Sequence, residues 1–516
     1  MNQTNFGDYA VFVKDNPEKE KKRLEKKLDR DMVDKIEIIG HYVNVYYKAA
    51  YLVREAEKIN YEIEFKNELN QLNNGKTVVI DYSSPNIAKT FGIGHLRSTN
   101  IGQALYNLYQ ILGWNCIGEN HLGDYGTQFG KLITAIKKWG PINWSTAKVD
   151  DLESLYIKFH RNETEELLNE ARNWFAKLEN KDPEAMAIWQ KCVDLSQQEF
   201  NQIYDLLDVH FDYCHGESFY RPMTDEIIQI MKDKGLTKES QGATIIEFED
   251  HSVAIVKKSN ETSTYFDRDI AALKYRRDTW HPDLIIYEVG ADQTLYFKQV
   301  FTTVEKLGWF KPANLHFVGH GLIRQQQGKF STRKGQTIHL KDIITKTIAL
   351  AKKIAPDNSA ETVRAIAIGA IKFNDLAQNP RKDIIFDWQK IMNLEGNSGP
   401  YLQYTYARAN SVLGKTKIKE QKNLDPTNLN LNAAELSVLR EIVKFKAKII
   451  EAAERFNPGV LAEFLLNVAR KYNEFYAKNR IIGSDNEAFR IFLTRSTASL
   501  LHLGLELLGI KTLTKM

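Results

Sequence analysis

The sequence predicts an α/β protein with a parallel sheet wound on both faces, followed by an all-helical third. From Thr77 onward, β-rich runs alternate with apolar-periodic helices, as a doubly wound parallel sheet requires. Leu284–Val289 is an unbroken apolar run, expected of a strand covered on both faces. Beyond Gly335 no strand is convincing. Leu340–Ala355, Ala360–Asp375, Pro400–Leu413, Ala433–Ala453, Pro458–Lys478 and Glu487–Leu508 all show helical spacing.

The N-terminal 75 residues read as a small appended domain. EKEKKRLEKKLDRDMVDKIEI reads as a solvated helix, Tyr42-Val43-Asn44-Val45-Tyr46 alternates as a strand, and residues 48–72 read as a second helix before Asn73-Asn74-Gly75. The strand Thr77–Asp81 then leads through a polar loop, Ser83-Ser84-Pro85-Asn86, to a turn at Gly92-Ile93-Gly94-His95. That turn opens a helix through Leu96, Ile101, Leu105, Leu108 and Leu112. Asn115–Leu122 reads as the next strand, ending at Gly123-Asp124-Tyr125-Gly126. Residues 139–235 are mostly helical and interrupt the alternation, as an insertion would. Short β-rich runs at Ala243–Phe248, Val253–Lys257 and Thr264–Phe266 precede the Leu284–Val289 strand, a helix over Leu295–Leu307 and a strand at Leu315–Val318. Lys415–Asn432 is a polar loop within the helical third.

A chain of 516 residues exceeds the ~250–300 residues that one core supports, so several domains are expected. The start, MNQTNFGDYAVFVKDNPEKEKKR, has no apolar core of signal-peptide length, and no apolar run approaches ~18 residues. A cytoplasmic protein without a membrane partner is expected. Cys116, Cys192 and Cys214 form no CxxC pair, which argues for buried free thiols over a disulfide framework or zinc site. Net charge is only +4, but residues 397–516 hold 18 lysines and arginines against 11 acids, while the preceding 396 residues sum to −3. A basic helical third attracts a phosphate backbone; a merely solvated basic surface is the alternative.

The chemistry concentrates in residues 81–99, DYSSPNIAKTFGIGHLRST. A strand that ends in a glycine-containing turn before a helix presents free N–H groups and a positive dipole end to a triphosphate. Glycines at Gly92 and Gly94 let the backbone approach that ligand, and His95 in the first turn can donate to a phosphate oxygen. The segment resembles the signature loop of class I aminoacyl-tRNA synthetases, and SSPNIAK with HLRST resembles the arginyl-tRNA synthetase family. That family's first signature opens with histidine, where this chain has Gly92, so only His95 can serve.

The resemblance implies a Rossmann-like catalytic domain and a second signature, a loop that clamps the triphosphate. Gly328-Lys329-Phe330-Ser331-Thr332-Arg333-Lys334-Gly335 is similar to it, with Thr332 in place of its second lysine. Lys329, Ser331 and Lys334 are the expected ATP-binding residues there, and lysines in such a loop follow charge as it builds on departing pyrophosphate. Lys89, in the first loop, is expected to bring an ammonium from the opposite side. His95, Lys89 and Lys329 are thus the expected catalytic residues.

Selecting arginine requires carboxylates that meet a fork-shaped cation in a partly dry pocket. By resemblance Asp81, Asn86, Tyr265, Asp269 and Gln293 hold the arginine substrate, the carboxylates of Asp81 and Asp269 converging on its guanidinium, with Ser84 and His95 beside its α-amino and carboxylate groups. Without the resemblance, Asp269 reads as an acid interacting with the dipole of a helix over Ile270–Arg277. Asn120–Gly130 is similar to the family's GDWGxQ segment, with Tyr125 for tryptophan, and His121 there is either structural or part of the site wall. In the helical third, the segments from Asn397 to Arg408 and from Ala469 to Tyr476 resemble the anticodon-binding bundle. Tyr401, Tyr404, Arg408, Tyr472 and Tyr476 are the expected tRNA contacts, since splayed bases stack on rings while phosphates meet cations. For any one of these tyrosines, a core position is the alternative.

The resemblance therefore implies an arginine–tRNA ligase that uses ATP with Mg²⁺ as substrate, without a tightly bound metal or organic cofactor. Its partners would be tRNA(Arg), L-arginine and ATP, and a monomer is expected. The division expected is 1–75 for a shortened tRNA-contacting domain, 76–395 for catalysis, and 396–516 for anticodon binding. The alternatives are a class I synthetase of other specificity and a catalytically weakened paralogue that binds RNA.

Overall fold

The computed structural model describes residues 7–140, 142–258, 264–325, 328–329, 339–418 and 430–516. At its centre lies a four-stranded sheet with every pairing parallel. In spatial order its strands are Leu315–His320, Leu284–Gly290, Thr77–Asp81 and Asn115–Glu119. The chain leaves Thr77–Asp81 towards one side and later returns on the other, so the strand order reverses between Thr77–Asp81 and Leu284–Gly290. Ligands of such sheets bind at the carboxyl ends flanking that reversal.

Both faces of the sheet are covered, which is why its strands are apolar at successive positions. Val78, Ile80 and Ile286 pack with Leu96, Ile101, Leu105 and Leu108 of the helix Ile93–Ile111. Val79, Ile285 and Tyr287 face helices Tyr265–Trp280 and Thr294–Lys306 through Ile270, Leu273, Phe297 and Val300. Each fully buried aliphatic side chain contributes about 1.5–3 kcal/mol.

Between the second and third strands, helices Val149–Arg161, Glu165–Glu179 and Pro183–Leu207 form a helical layer, and Lys238–Ser240, Ala243–Glu247 and Val253–Lys257 form a separate antiparallel sheet. After the last strand of the central sheet, the long helices run from Ala360–Leu376 through Gly399–Leu413 and Gly459–Lys478 to Glu487–Leu507. Among the described residues, no helix is long and apolar enough to cross a membrane.

Several expected elements differ. Val33–Ile39, read as helical, is a strand that pairs antiparallel with Tyr42–Tyr47 across a two-residue turn, and Tyr9–Phe12 adds a third strand. Ile36 and Ile38 alternate with Lys35 and Glu37, a period-two pattern that the surrounding charge obscures. The expected helix over residues 48–72 is two, Ala49–Asn60 and Glu62–Asn70. Thr264–Phe266, read as β-rich, begins a helix because the Thr264 hydroxyl and Asp267 cap it reciprocally. Ala433–Ala453 divides into Ala433–Ile442 and Phe445–Glu454, with Phe445 turned inward to stack on Phe65 and Phe464. Beyond Gly335, Ile384–Ile385 forms a short strand parallel to Ile323–Gln325. Of the three free cysteines only Cys192 is buried; Cys214 is exposed.

Candidate functional site

The loop after Asp81 is conformationally costly. Ser83, Ser84 and Ala88 adopt left-handed backbone at φ 72°, 46° and 61°, a conformation that persists in non-glycine residues only where the surroundings fix it. The surroundings here do so. Ser98 Oγ accepts from Ser83 N–H at 2.9 Å and donates to Glu288 O at 2.7 Å, bridging the two strand ends at the reversal. The Ser83 hydroxyl bonds Thr99 and Tyr204, each at 2.8 Å. Gly123 N–H donates to Pro85 O and Ile87 N–H to Gly123 O, both at 3.1 Å. A Cβ at Gly123 would lie 2.3 Å from Asn86 Oδ1, so a side chain there would displace the Asn86 amide that lines the cavity.

The loop opens on a cavity of about 540 Å³. The structure brings Asp81, Ser84, Asn86, Gly94, His95, Tyr265, Asp269 and Gln293 to its lining. Gly94 is exposed in the first turn of the helix Ile93–Ile111, and a Cβ there would meet nothing within 4 Å. Free helix N–H groups and open space therefore coincide. Gly92 precedes the helix, and its N–H donates to His95 Nδ1 at 3.2 Å, which leaves the imidazole proton on Nε2. Burial, with the Lys89 ammonium and His320 nearby, pushes His95 down to about 4. His95 is thus a neutral donor at neutral pH. Lys89 is exposed and acts on His95 through its charge.

The acids are not equivalent. Asp81 is already engaged: buried Arg276 donates Nη2 to its Oδ2 at 2.6 Å, and the Ser84 hydroxyl donates to Oδ1 at 2.9 Å. Arg276 also donates Nε to Glu119 at 2.6 Å. Burial raises Glu119, but Arg276, His215 and Tyr220 outweigh it and hold this carboxyl at about 2. Asp269 lies a turn into the helix Tyr265–Trp280, where it accepts from the Tyr296 hydroxyl and stands 3.7 Å from His121 Nε2. Burial pushes Asp269 above the ordinary carboxylate value. Asp267, not Asp269, caps the helix.

Sequence reasoning missed Glu217. It lines the same cavity on the short helix Glu217–Tyr220, 2.8 Å from Arg268 Nη2. Burial, opposed by Arg268 and reinforced by Asp269 and Asp124, pushes it up to about 8. Asp124, in the GDYG segment, positions this helix by accepting from Ser218 N–H at 2.8 Å and from its hydroxyl at 2.6 Å. The only sequence signal was Gly216-Glu217 within the inserted region. Tyr296, Glu288 and His320 also line the cavity, and His320 Nδ1 pairs with Glu288 at 2.9 Å. Tyr265 is half-exposed, its hydroxyl 3.5 Å from Gln128 Oε1. Gln293 ends the short Ala291–Gln293 turn at the exposed rim.

In the second signature, the Gly328–Lys329 backbone pairs antiparallel with Arg324 and Gln325. The Lys329 side chain, with Ser331 and Lys334, lies outside the described residues.

In the helical third, the helix Gly399–Leu413 starts where Ser398 Oγ accepts from Tyr401 N–H at 3.1 Å. The Arg408 guanidinium lies over the rings of Tyr404 at 4.8 Å and Tyr476 at 5.1 Å, both rings being partly exposed. Half-buried Tyr401 accepts from Asn473 at 3.0 Å. Tyr472, expected to contact tRNA, is instead fully buried among the helices, near Thr494, because its helical position faces the core. It cannot stack on a base.

A glycine-opened helix at the order reversal of a parallel sheet, followed by an all-helical C-terminal unit, defines a class I aminoacyl-tRNA synthetase. Residues 59–388 match the family described as tRNA synthetases class I (R), catalytic domain, and residues 402–516 match the DALR anticodon binding domain. The chain is 38% identical over 536 residues to the arginine–tRNA ligase of Halothermothrix orenii, covering all of this chain and 94% of the relative. It is 38% identical over 511 residues to that of Streptococcus uberis, covering 96% and 90%. The solved arginyl-tRNA synthetase of Plasmodium falciparum superposes with a TM-score of 0.79 at 26% identity, over 97% of this chain and 89% of that one. That of Thermus thermophilus shares the fold, with a TM-score of 0.84 at 21% identity over 100% and 95%. The chain belongs to the arginyl-tRNA synthetase family, the ATP-dependent arginine–tRNA ligases.

Proposed function

We propose that this chain joins L-arginine to the 3′ end of tRNA(Arg) through an arginyl-adenylate, with the cavity residues in the following roles. The observation that carries the assignment is that Asp269 and Glu217 share one cavity and are both held above the ordinary carboxylate value. Burial holds these carboxyls towards their neutral form, and an incoming guanidinium favours the ionised form, with which it pairs bidentately. Tyr265, Asp269 and Glu217 take the guanidinium end. Asp81, expected at the guanidinium, is neutralised on one side by Arg276 and joins Ser84, Asn86 and Gln293 at the α-amino and carboxylate end instead.

ATP lies with its triphosphate over the helix start, where Gly94 leaves room and His95 Nε2–H donates. The arginine carboxylate attacks the α-phosphate, pyrophosphate leaves, and a hydroxyl of the tRNA terminal ribose then takes the arginyl group and releases AMP. Lys89, Lys329, Ser331 and Lys334 offset the charge on departing pyrophosphate. The protein acts by positioning and neutralising charge, with no covalent enzyme intermediate. Mg²⁺ accompanies ATP, and no tightly bound metal or organic cofactor is needed.

Residues 76–395 perform this chemistry, residues 396–516 bind the anticodon through Tyr401, Tyr404, Arg408 and Tyr476, and residues 1–75 reach the tRNA body. The chain acts as a cytoplasmic monomer. Pyrophosphate exchange into ATP tests the reading: exchange that requires both arginine and tRNA supports it. Exchange with a different amino acid, or none with any, overturns it.

A further inference from the structure

Among the described residues, two groups of histidine and acidic side chains bring three ligand atoms within 4.8 Å of one another: Glu62 with His502 and Glu506, and Asp150 with Glu153 and His339. They differ in what already fills them. Lys66 Nζ bridges the first group, 2.8 Å from Glu62 and 3.2 Å from Glu506, so an ammonium takes the place of a cation there. The second group has no such counter-ion among the described residues.

That second group sits where three parts of the chain meet. Asp150 and Glu153 lie one turn apart on the inserted helix Val149–Arg161. Asp151 closes the capping box of this helix by accepting from Lys148 N–H at 2.9 Å, which leaves exposed Asp150 without a capping role. Glu153 Oε2 accepts from Thr90 N–H at 3.3 Å and from the Thr90 hydroxyl at 2.5 Å. Both bonds fall on one oxygen and orient the carboxylate, as outer-shell groups orient metal ligands, and Oε1 is left over. His339 comes from beyond the second signature. Its backbone bridges antiparallel to Gly92, and Leu340 N–H donates to Phe91 O at 3.0 Å, which fixes the backbone that carries the imidazole.

Glu199, half-buried on the helix Pro183–Leu207, faces the same groups. Burial, then Asp150, with Glu153 in the same sense, pushes its carboxyl up against the opposing charges of Lys341 and His339. Among the described residues, none of these three carboxylates forms an ion pair. Negative charge is therefore gathered beside an imidazole without a balancing cation.

We propose that Asp150, Glu153 and His339 form a site for one divalent cation of the zinc class, which pins the helical insertion to the first signature loop. Imidazole with carboxylates suits Zn²⁺, whereas Mg²⁺ and Ca²⁺ take oxygen ligands and water. Three protein ligands leave a fourth position for water or for Glu199. None of these residues lines the cavity that holds Asp269 and Glu217, and the site does not depend on the ligase reading.

The test is calorimetric titration of the chelator-treated full chain with Zn²⁺, alone and in the presence of excess Mg²⁺. Wild type should bind one Zn²⁺ that Mg²⁺ does not displace, and saturating Zn²⁺ should raise its melting temperature. Asp150→Ala and His339→Gln should each weaken Zn²⁺ binding by at least about tenfold, no less than an outer-shell change costs. His502→Gln should leave the affinity at the wild-type value, because Lys66 already bridges that group. Asp150 is exposed, so Asp150→Ala should melt as wild type does without metal, and it decides the matter if His339→Gln fails to fold. Absence of saturable Zn²⁺ binding, displacement by Mg²⁺, or wild-type affinity in folded Asp150→Ala overturns the proposal. So does an affinity that falls with His502→Gln instead.

Discussion

Arg276 and Asp81 meet at 2.6 Å between guanidinium Nη2 and carboxylate Oδ2, with the arginine fully buried. The protein thus keeps an arginine of its own at the carboxyl end of the strand Thr77–Asp81, clamped between Asp81 and Glu119. Replacing it with Met strands two buried carboxylates, and a loss of roughly 3–5 kcal/mol is expected in urea unfolding. The pH sign follows from Glu119, held at about 2 against an ordinary 4.5. Its contribution, roughly 3 kcal/mol, is present above about pH 4.5 and is lost as pH falls through about 2. Wild type should therefore lose more stability than Glu119→Gln across that window, measured by urea unfolding at each pH.

On the proposed reading, Glu217 should make arginine affinity depend on pH. Its carboxyl is pushed up to about 8, and a guanidinium favours the ionised form, so affinity should rise as pH increases through 8. Arginine binding should release protons at pH 7, measurable by calorimetry in buffers of different ionisation enthalpy. Glu217→Gln should abolish the release and raise arginine KM about 10–100-fold, the worth of a charge-assisted bond.

Variants of Gly94 and His95 should separate folding from catalysis. Open space around Gly94 means that Gly94→Ala should leave the fold intact or strengthen it by ~0.5–1 kcal/mol, while raising the KM for ATP. His95→Ala should lower the exchange kcat about 10²–10³-fold. Because His95 is held at about 4, the wild-type kcat profile should show no step from this imidazole between pH 6 and 8. A step that disappears in His95→Gln would contradict the neutral donor.

Tyr404 and Tyr472, both in the helical third, should behave oppositely. Tyr404→Ala, at a partly exposed ring, should weaken tRNA binding by about 1–3 kcal/mol, the worth of a stacked base, without changing the melting temperature. Tyr472→Ala should cost roughly 3–5 kcal/mol of stability, as large buried rings do, detected by thermal unfolding.

What was legible in the sequence was local. The apolar strand Leu284–Val289, the turn before His95 and the helical third all reveal themselves through short-range spacing, because strand and helix periods are written into consecutive residues. The resemblance in residues 81–99 placed Asp81 and His95 in one loop for the same reason. Errors fell where a local pattern was ambiguous: charge hid the strand Val33–Ile39, and a threonine cap was read as β structure at Thr264.

What only the tertiary structure decided concerns which groups face each other. The sequence names Asp81 and Asp269 as acids but does not reveal that Arg276, 195 residues after Asp81, already claims the first. Nor does it reveal that Glu217, from the inserted region, joins the second. Burial likewise separated Tyr404 from Tyr472, since an aromatic at helical spacing has the same sequence signature whether it faces solvent or core. Charge pairing and desolvation act through space, between residues that chain order leaves far apart.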